Sequence, residues 1–263
     1  MTTMRVLFGG LLAMTLTLFA HTADAGQSRH VAIAAAADLR YALDAVIAIY
    51  HRKHPPDVIE VTYGSSGKLL AQIEQGAPFE LFFSADSEYP KQLVAAGNAA
   101  GAPVPYALGH IVIWSASVDA SKLTVADLTN PSFDRIAIAN PEHAPYGKRA
   151  EQALRAAGAW DAVQPRLVYG DNIAQTAQFV ASGSAKVGII AQSLALDPQM
   201  MKKGGYAVIP ASLYQSLLQS FVVTRRGAGN ALAHDFAQYV QSAEARKMLS
   251  RYGFSLPSVA AVH

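Results

Sequence analysis

The chain has 263 residues, 51% of them hydrophobic and 15% charged, with a formal net charge of +2; this is globular composition, with length for one large domain or two modest ones. So small a charge excludes the broad basic field that neutralises nucleic-acid phosphates, and nucleic acid is not expected as a partner. A cysteine count of zero excludes disulfides, thiolate metal sites, a catalytic cysteine and a lipid-bearing N-terminal cysteine.

At the N-terminus Arg5 precedes the apolar run LFGGLLAMTLTLFA, and the stretch ends in the A-x-A pattern Ala23-Asp24-Ala25. Residues 1–25 therefore read as a secretory signal peptide. The apolar run is about 14 residues, short of the roughly 20 that a spanning helix needs. The mature chain is expected to be a freely diffusing periplasmic monomer.

Beyond the signal, short β-rich runs alternate with helical patterns: HVAIAAAA then LRYALDAVIAIYHRK, VIEVTYG then KLLAQIEQG, ELFFSA then EYPKQLVAAG. Such alternation predicts an α/β fold with helix-covered sheets. Leu39, Ala42, Leu43, Val46, Ile47 and Tyr50 form the apolar stripe of the first helix. The pattern restarts at the strand ALGHIVIWSA and continues through RIAIANPEHAPYG into KRAEQALRAAG, LVYGDN into IAQTAQFVASG, and AKVGII before AQSLAL. A last strand, LQSFVVTRR, leads into one helix, NALAHDFAQYVQSAEARKMLSRYG, which Gly253 is placed to stop. Strand character puts boundaries near Leu108 and Ser220.

Four strand-to-helix junctions are built from small or polar residues: Ala36-Ala37-Asp38, Gly64-Ser65-Ser66-Gly67, Ala144-Pro145-Tyr146-Gly147 and Gly170-Asp171-Asn172-Ile173. Each should present free backbone N–H groups at the positive end of a helix dipole, a natural setting for an anion. Ordinary capping is the plainer account of any one of them, since Asp38 and Ser66 stand where helices take N-caps.

Sharper motifs fail on their letters. A phosphate-binding loop needs G-x-x-x-x-G-K-[ST], but Thr62 stands five residues before Gly67 and Leu69 follows Lys68. A hydrolase elbow needs G-x-S-x-G, whereas the glycines around Ser65 and Ser66 are spaced G-S-S-G; a nucleophilic serine also needs a positioned base. Gly227-Ala228-Gly229 has Leu232 in the third glycine position of a dinucleotide fingerprint. The histidines include no H-E-x-x-H and no tight ligand cluster, so no free metal cation is expected.

The runs YGSSGKLLAQIEQGAPFELFFSADSEYPKQLVAAG, NPEHAPYGKRAEQAL and RYGFSL resemble, in the same order, the periplasmic molybdate-binding proteins of ABC transporters. The resemblance implies a type II periplasmic-binding-protein fold: two α/β lobes joined by a hinge of two crossing strands, with the ligand between them. Lobe 1 would comprise residues 26–108 plus 221–263, and lobe 2 residues 109–220. It implies no enzyme and no cofactor, but a carrier of molybdate or tungstate that serves an ABC transporter membrane permease.

By the same resemblance Ser66 matches a ligand-binding serine, with Ser65 beside it, and Tyr146 and Ile173 match positions that offer backbone N–H groups. Ala37 and Asp38 stand where many members carry a serine after A-A-A, so a hydroxyl is lost there. The family's late tyrosine corresponds to Ala191, and Tyr146 could substitute with its own hydroxyl. Asp38 is expected to cap the helix starting at Leu39 and turn away from the cleft; otherwise its carboxylate would accept a proton-bearing oxygen, as hydrogen phosphate offers. Lys68 is expected to project into solvent. The rival readings are a carrier of phosphate or sulfate and, from another class, a secreted serine hydrolase.

Overall fold

The computed structural model describes residues 28–257; the signal peptide expected at residues 1–25 lies outside them. The strands are β1 His30–Ala36, β2 Val58–Gly64, β3 Leu81–Ser84, β4 Val104–Gly109, β5 Ile111–Ser115, β6 Ile136–Ala139, β7 Leu167–Gly170, β8 Val187–Ala191, β9 Gly205–Val208 and β10 Leu217–Val223. The helices are α1 Arg40–Lys53, α2 Ser66–Glu74, α3 Glu88–Ala95, α4 Pro145–Ala156, α5 Trp160–Val163, α6 Ile173–Ala181, α7 Gln192–Ala195, α8 Pro198–Lys203, α9 Ala231–Val240 and α10 Ala243–Arg251.

Two five-stranded mixed sheets organise the chain, in the orders β2-β1-β3-β10-β4 and β7-β6-β8-β5-β9. In the first, β1 lies parallel to β2 and β3, and β10 runs antiparallel to β3 and β4. The second repeats this plan: β6 is parallel to β7 and β8, and β5 is antiparallel to β8 and β9. Strand β1 is buried on both faces and alternates accordingly: Val31, Ile33 and Ala35 pack with Leu43, Tyr50 and Phe236, while Ala34 packs with Leu69, Phe82 and Leu93. The second sheet has its own core around Trp114, Ile138, Leu154 and Ile189.

This topology positions the site. In an open α/β sheet, ligands settle beyond the carboxyl ends of the strands where the winding direction switches. Successive strands β2 and β3 flank β1, and β7 and β8 flank β6, so each sheet has such a point. The loops leaving β1, β2, β6 and β7 are the four small-residue junctions of the sequence.

Three local expectations need correction. The run ALGHIVIWSA is two strands, not one: β4 ends at Gly109 in the first sheet and β5 begins at Ile111 in the second, so the chain crosses between sheets at His110. The long C-terminal helix is also two, because Ser242 accepts the Ala245 N–H through its side chain and starts α10 afresh. Finally, Asp38 caps nothing. It lies inside a short 3-10 turn, Ala37–Leu39, whose capping position is Ala36 and which has no side-chain cap. Gly253 does follow the end of α10, at φ +78, a left-handed value that glycine adopts without strain.

Candidate functional site

All six residues singled out in the sequence, Ala37, Asp38, Ser65, Ser66, Tyr146 and Ile173, line one cavity between the two sheets. Its free volume is about 10 Å³. That is about the room one water needs, far below the roughly several hundred Å³ of a pocket for an organic ligand, so even a compact oxyanion requires the two sheets to part slightly on entry.

Three helices begin at this cavity. Helix α2 has Ser65 at its cap position and no side-chain cap; α4 starts with Pro145 after Ala144, again uncapped, so the Tyr146 N–H belongs to a first turn with no side-chain acceptor. In α6 the Asn172 side chain accepts from Ala174 and Gln175, which leaves the Ile173 N–H outside the cap. Ser66 is fully buried, and its Oγ accepts the Ala85 N–H at 3.0 Å. With the oxygen so engaged, and no acceptor for its hydrogen among the described residues, the Ser66 hydroxyl is free to donate into the cavity. The cavity wall is thus made of donors.

Asp38 is the exception, and it is the centre of a buried network. It is only 1% exposed. Its Oδ2 accepts from the Tyr146 hydroxyl at 2.9 Å and from Gln219 Nε2 at 2.6 Å, while the Tyr106 hydroxyl donates to Gln219 Oε1 at 2.6 Å. The Asp38 backbone carbonyl accepts from Ser193 Oγ at 2.7 Å. Gly109 lets this network pass, since a Cβ there would lie 2.3 Å from the Tyr146 hydroxyl and 2.7 Å from Gln219 Nε2. The other carboxylate oxygen, Oδ1, is buried with no hydrogen-bond partner among the described residues. Burial pushes the Asp38 carboxyl up to about 6, against the lowering pull of the Gln219 and Tyr146 hydrogen bonds. The Tyr146 phenol is raised well above its ordinary value, first by burial and then by the Asp38 charge; the Tyr106 phenol is raised by the same causes.

Two expectations change here. Asp38 does not turn away, because its side chain is inserted between the sheets and tied to Tyr146 of the opposite one. The Tyr146 hydroxyl is committed to Asp38, so the donor lost at Ala191 is not simply replaced by it.

The mouth of the cavity is closed by contacts between the two sheet units. Gly67 donates its N–H to the His143 carbonyl at 3.0 Å, and Ser65 Oγ lies 2.9 Å from His143 Nδ1. Lys68 does not simply project into solvent: about half exposed, it crosses to pair with Asp171. Arg149 and Asp86 form a second bridge, 2.9 Å long and nearly buried. Ser65, His143 and Asp171 have the order of a nucleophile, base and carboxylate, but His143 Nε2 is 3.9 Å from Asp171 Oδ1, beyond a hydrogen bond, and that carboxylate is engaged by Lys68. Burial and the Lys68 charge pull the His143 pKa below its ordinary value. The base is not oriented as a nucleophilic serine requires.

The sequence reading missed Gln219, Tyr106, Ser193, His143 and the Arg149–Asp86 pair. Only Gln219 carried a signal: a glutamine in the strand LLQSFVV, apolar but for it and Ser220, must find a buried partner.

The family model of the bacterial extracellular solute-binding proteins matches residues 31–255. The chain belongs to that family. Among the relatives of this solute-binding protein, the molybdate-binding protein ModA of Azotobacter vinelandii is 33% identical over 89% of this chain and 93% of its own length. ModA of Rhodobacter capsulatus is 35% identical over 74% of this chain and 77% of its own. The solved periplasmic molybdate-binding protein of A. vinelandii superposes with a TM-score of 0.79 at 29% identity, covering 87% of this chain and all (100%) of that one. The Mycobacterium tuberculosis sulfate-binding protein SubI, at 15% identity and a TM-score of 0.72 over 89% of this chain and 88% of its own, shares the fold.

Proposed function

We propose that this solute-binding protein captures molybdate or tungstate in the cavity between its lobes and delivers it, in the periplasm, to an ABC transporter membrane permease. It is a carrier and performs no chemical step. The observation that carries the reading is the convergence of three helix N-termini and the buried Ser66 hydroxyl on one small cavity, in a chain related to molybdate-binding proteins along most of its length. Oriented N–H and O–H dipoles hold a desolvated dianion without a paired lysine or arginine.

In this reading Ser66 donates its hydroxyl, Tyr146 and Ile173 their backbone N–H groups, and Ser65 and Ala37 complete the wall. The lobes, expected from the sequence to divide at 108/109 and 220/221, close by bending where the chain crosses between sheets, at His110 and between β9 and β10, which moves the second division to before Leu217. Tetrahedral dianions are sorted mainly by size. An ionised Asp38 opposes them all: at 4 Å and an effective dielectric of 20, two unit charges interact by about 4 kcal/mol, and a dianion feels about 8 kcal/mol.

Titration calorimetry with molybdate, tungstate, sulfate and phosphate tests the reading. We expect tight binding of the first two and a loss of at least about tenfold in Ser66→Ala, the scale of one hydrogen bond to a charged group. Preference for phosphate or sulfate would overturn it.

A further inference from the structure

The proposed oxyanion site contains one acid that its other groups do not explain. Tyr146 and Gln219 both donate to Asp38 Oδ2, so that oxygen is saturated as an acceptor. Oδ1 is buried and has no hydrogen-bond partner of ordinary geometry among the described residues; the backbone N–H groups of Asp38 and Leu39 favour the charged carboxyl only weakly against burial, and Asp38 is one of the residues lining the cavity. A buried unpaired carboxylate oxygen is costly unless something completes it. Among the described residues no acceptor lies within hydrogen-bond reach of Oδ1 either. If it carries a proton, only a ligand oxygen is left to receive the hydrogen bond.

We propose that Asp38 makes anion capture proton-coupled: the site binds its oxyanion together with one proton, held between Asp38 Oδ1 and an oxygen of the ligand. This rests on the oxyanion reading of the cavity. One proton is taken from solvent and none is released, so the bound pair carries one negative charge less than an ionised Asp38 beside a free dianion. A carboxylate that would repel the ligand becomes one more donor to it.

The surroundings leave Asp38 as the group that titrates. From α4 it faces the Tyr146 hydroxyl, from β10 Gln219, from β4 Tyr106 through Gln219, and from α7 Ser193. Both phenols are raised well above their ordinary values and stay neutral near neutral pH. Helix α6, also packed on the Asp38 turn, has no titratable residue. At the start of α1, Arg40 lies over the Tyr63 ring and Tyr41 faces Asp197. His143, Lys68 and Asp171 are at the mouth, and the His143 imidazole, held below its ordinary value by burial and then by the Lys68 charge, is the group there that the test must separate from Asp38. The free carboxyl, already raised by burial, is mostly ionised at pH 7.5, and the arriving dianion raises it further. Affinity should therefore weaken as pH rises above about 6, because each capture must then take up a proton.

The test is calorimetric titration of the full mature protein with sodium molybdate at about pH 7.5, in buffers that differ in ionisation enthalpy, followed by a pH series. We expect uptake of close to one proton per molybdate and a Kd that weakens about tenfold per unit from about pH 7 to about pH 9. In Asp38→Asn, whose amide mimics the protonated acid, uptake should vanish and Kd should become nearly independent of pH. Tight molybdate binding without proton uptake in the wild type would overturn the coupling and leave the molybdate reading standing. Undiminished uptake in Asp38→Asn would overturn the assignment to Asp38. If that variant does not fold, the wild-type buffer series still decides the coupling, and uptake persisting in His143→Gln excludes the mouth histidine as its source. If the wild type binds neither molybdate nor tungstate at any pH, both the coupling and the reading of the site fail.

Discussion

Gly67 is the most discriminating place to perturb closure, because the nearest atoms a side chain there would meet belong to His143 of the opposite lobe. A Cβ at Gly67 would lie 2.8 Å from the His143 carbonyl oxygen and 3.1 Å from its Cα and Cβ. Two of these atoms are backbone, so the lobes would have to part by about half an ångström to restore ordinary contact. That separation stretches the 3.0 Å Gly67 N–H to His143 carbonyl bond beyond hydrogen-bonding range. A lost bond costs about 1 kcal/mol, and loosened packing at the cavity mouth brings the total to about 1–2 kcal/mol, or about five- to thirtyfold in Kd. Within its own lobe the same substitution is favourable, since Gly67 lies in the first turn of α2 and alanine there stabilises a helix by up to about 1 kcal/mol. Gly67→Ala should therefore weaken molybdate binding in calorimetry while leaving the urea midpoint of the ligand-free protein unchanged or higher. An unchanged Kd, or a fall in ligand-free stability parallel to the loss of affinity, would refute closure through this contact.

Arg149 and Asp86 join the lobes at the other side, with side chains only 8% and 15% exposed. Arg149→Met strands the Asp86 charge, and because Asp86 keeps some solvent we expect about 2 kcal/mol less closed state, a Kd at least about tenfold weaker, and partial recovery in the double variant Asp86→Asn/Arg149→Met. Asp38 gives a pH signature in stability without any ligand. A carboxyl raised from 3.8 to about 6 is held protonated by the native state, so its contribution is fully present below about pH 4 and is lost as pH rises through about 6. At about 1.4 kcal/mol per pH unit, Asp38→Asn should exceed the wild type in urea stability by up to about 3 kcal/mol at pH 8, with the difference shrinking toward pH 5; a difference independent of pH would contradict a raised carboxyl.

The fold was largely legible because the signals that specify it are local. Alternation of apolar runs and helical stripes is written residue by residue, and the four junctions at the carboxyl ends of β1, β2, β6 and β7 announced themselves through small residues. What the letters did not show was pairing across the cleft. His110 looks like the middle of one strand, yet the chain changes sheets there, because the pairing of Leu108 with β10 and of Ile111 with β8 is set by partners more than 70 residues away. Asp38 was misread for the same reason. Its place at a helix start argues for a cap on local grounds, but Tyr146 and Gln219, 108 and 181 residues distant, claim its carboxylate. The outcome follows from burial: an aspartate sealed between two lobes needs strong donors, and tyrosine and glutamine supply them without a compensating charge. Because no cation among the described residues neutralises it, the acid stays poised near physiological pH, and the arriving anion becomes the event that decides its protonation. A lysine or arginine in place of Gln219 would hold Asp38 ionised and remove that sensitivity. The choice of a neutral partner inside β10 therefore couples a packing decision in the first sheet to the charge of what the cavity can hold.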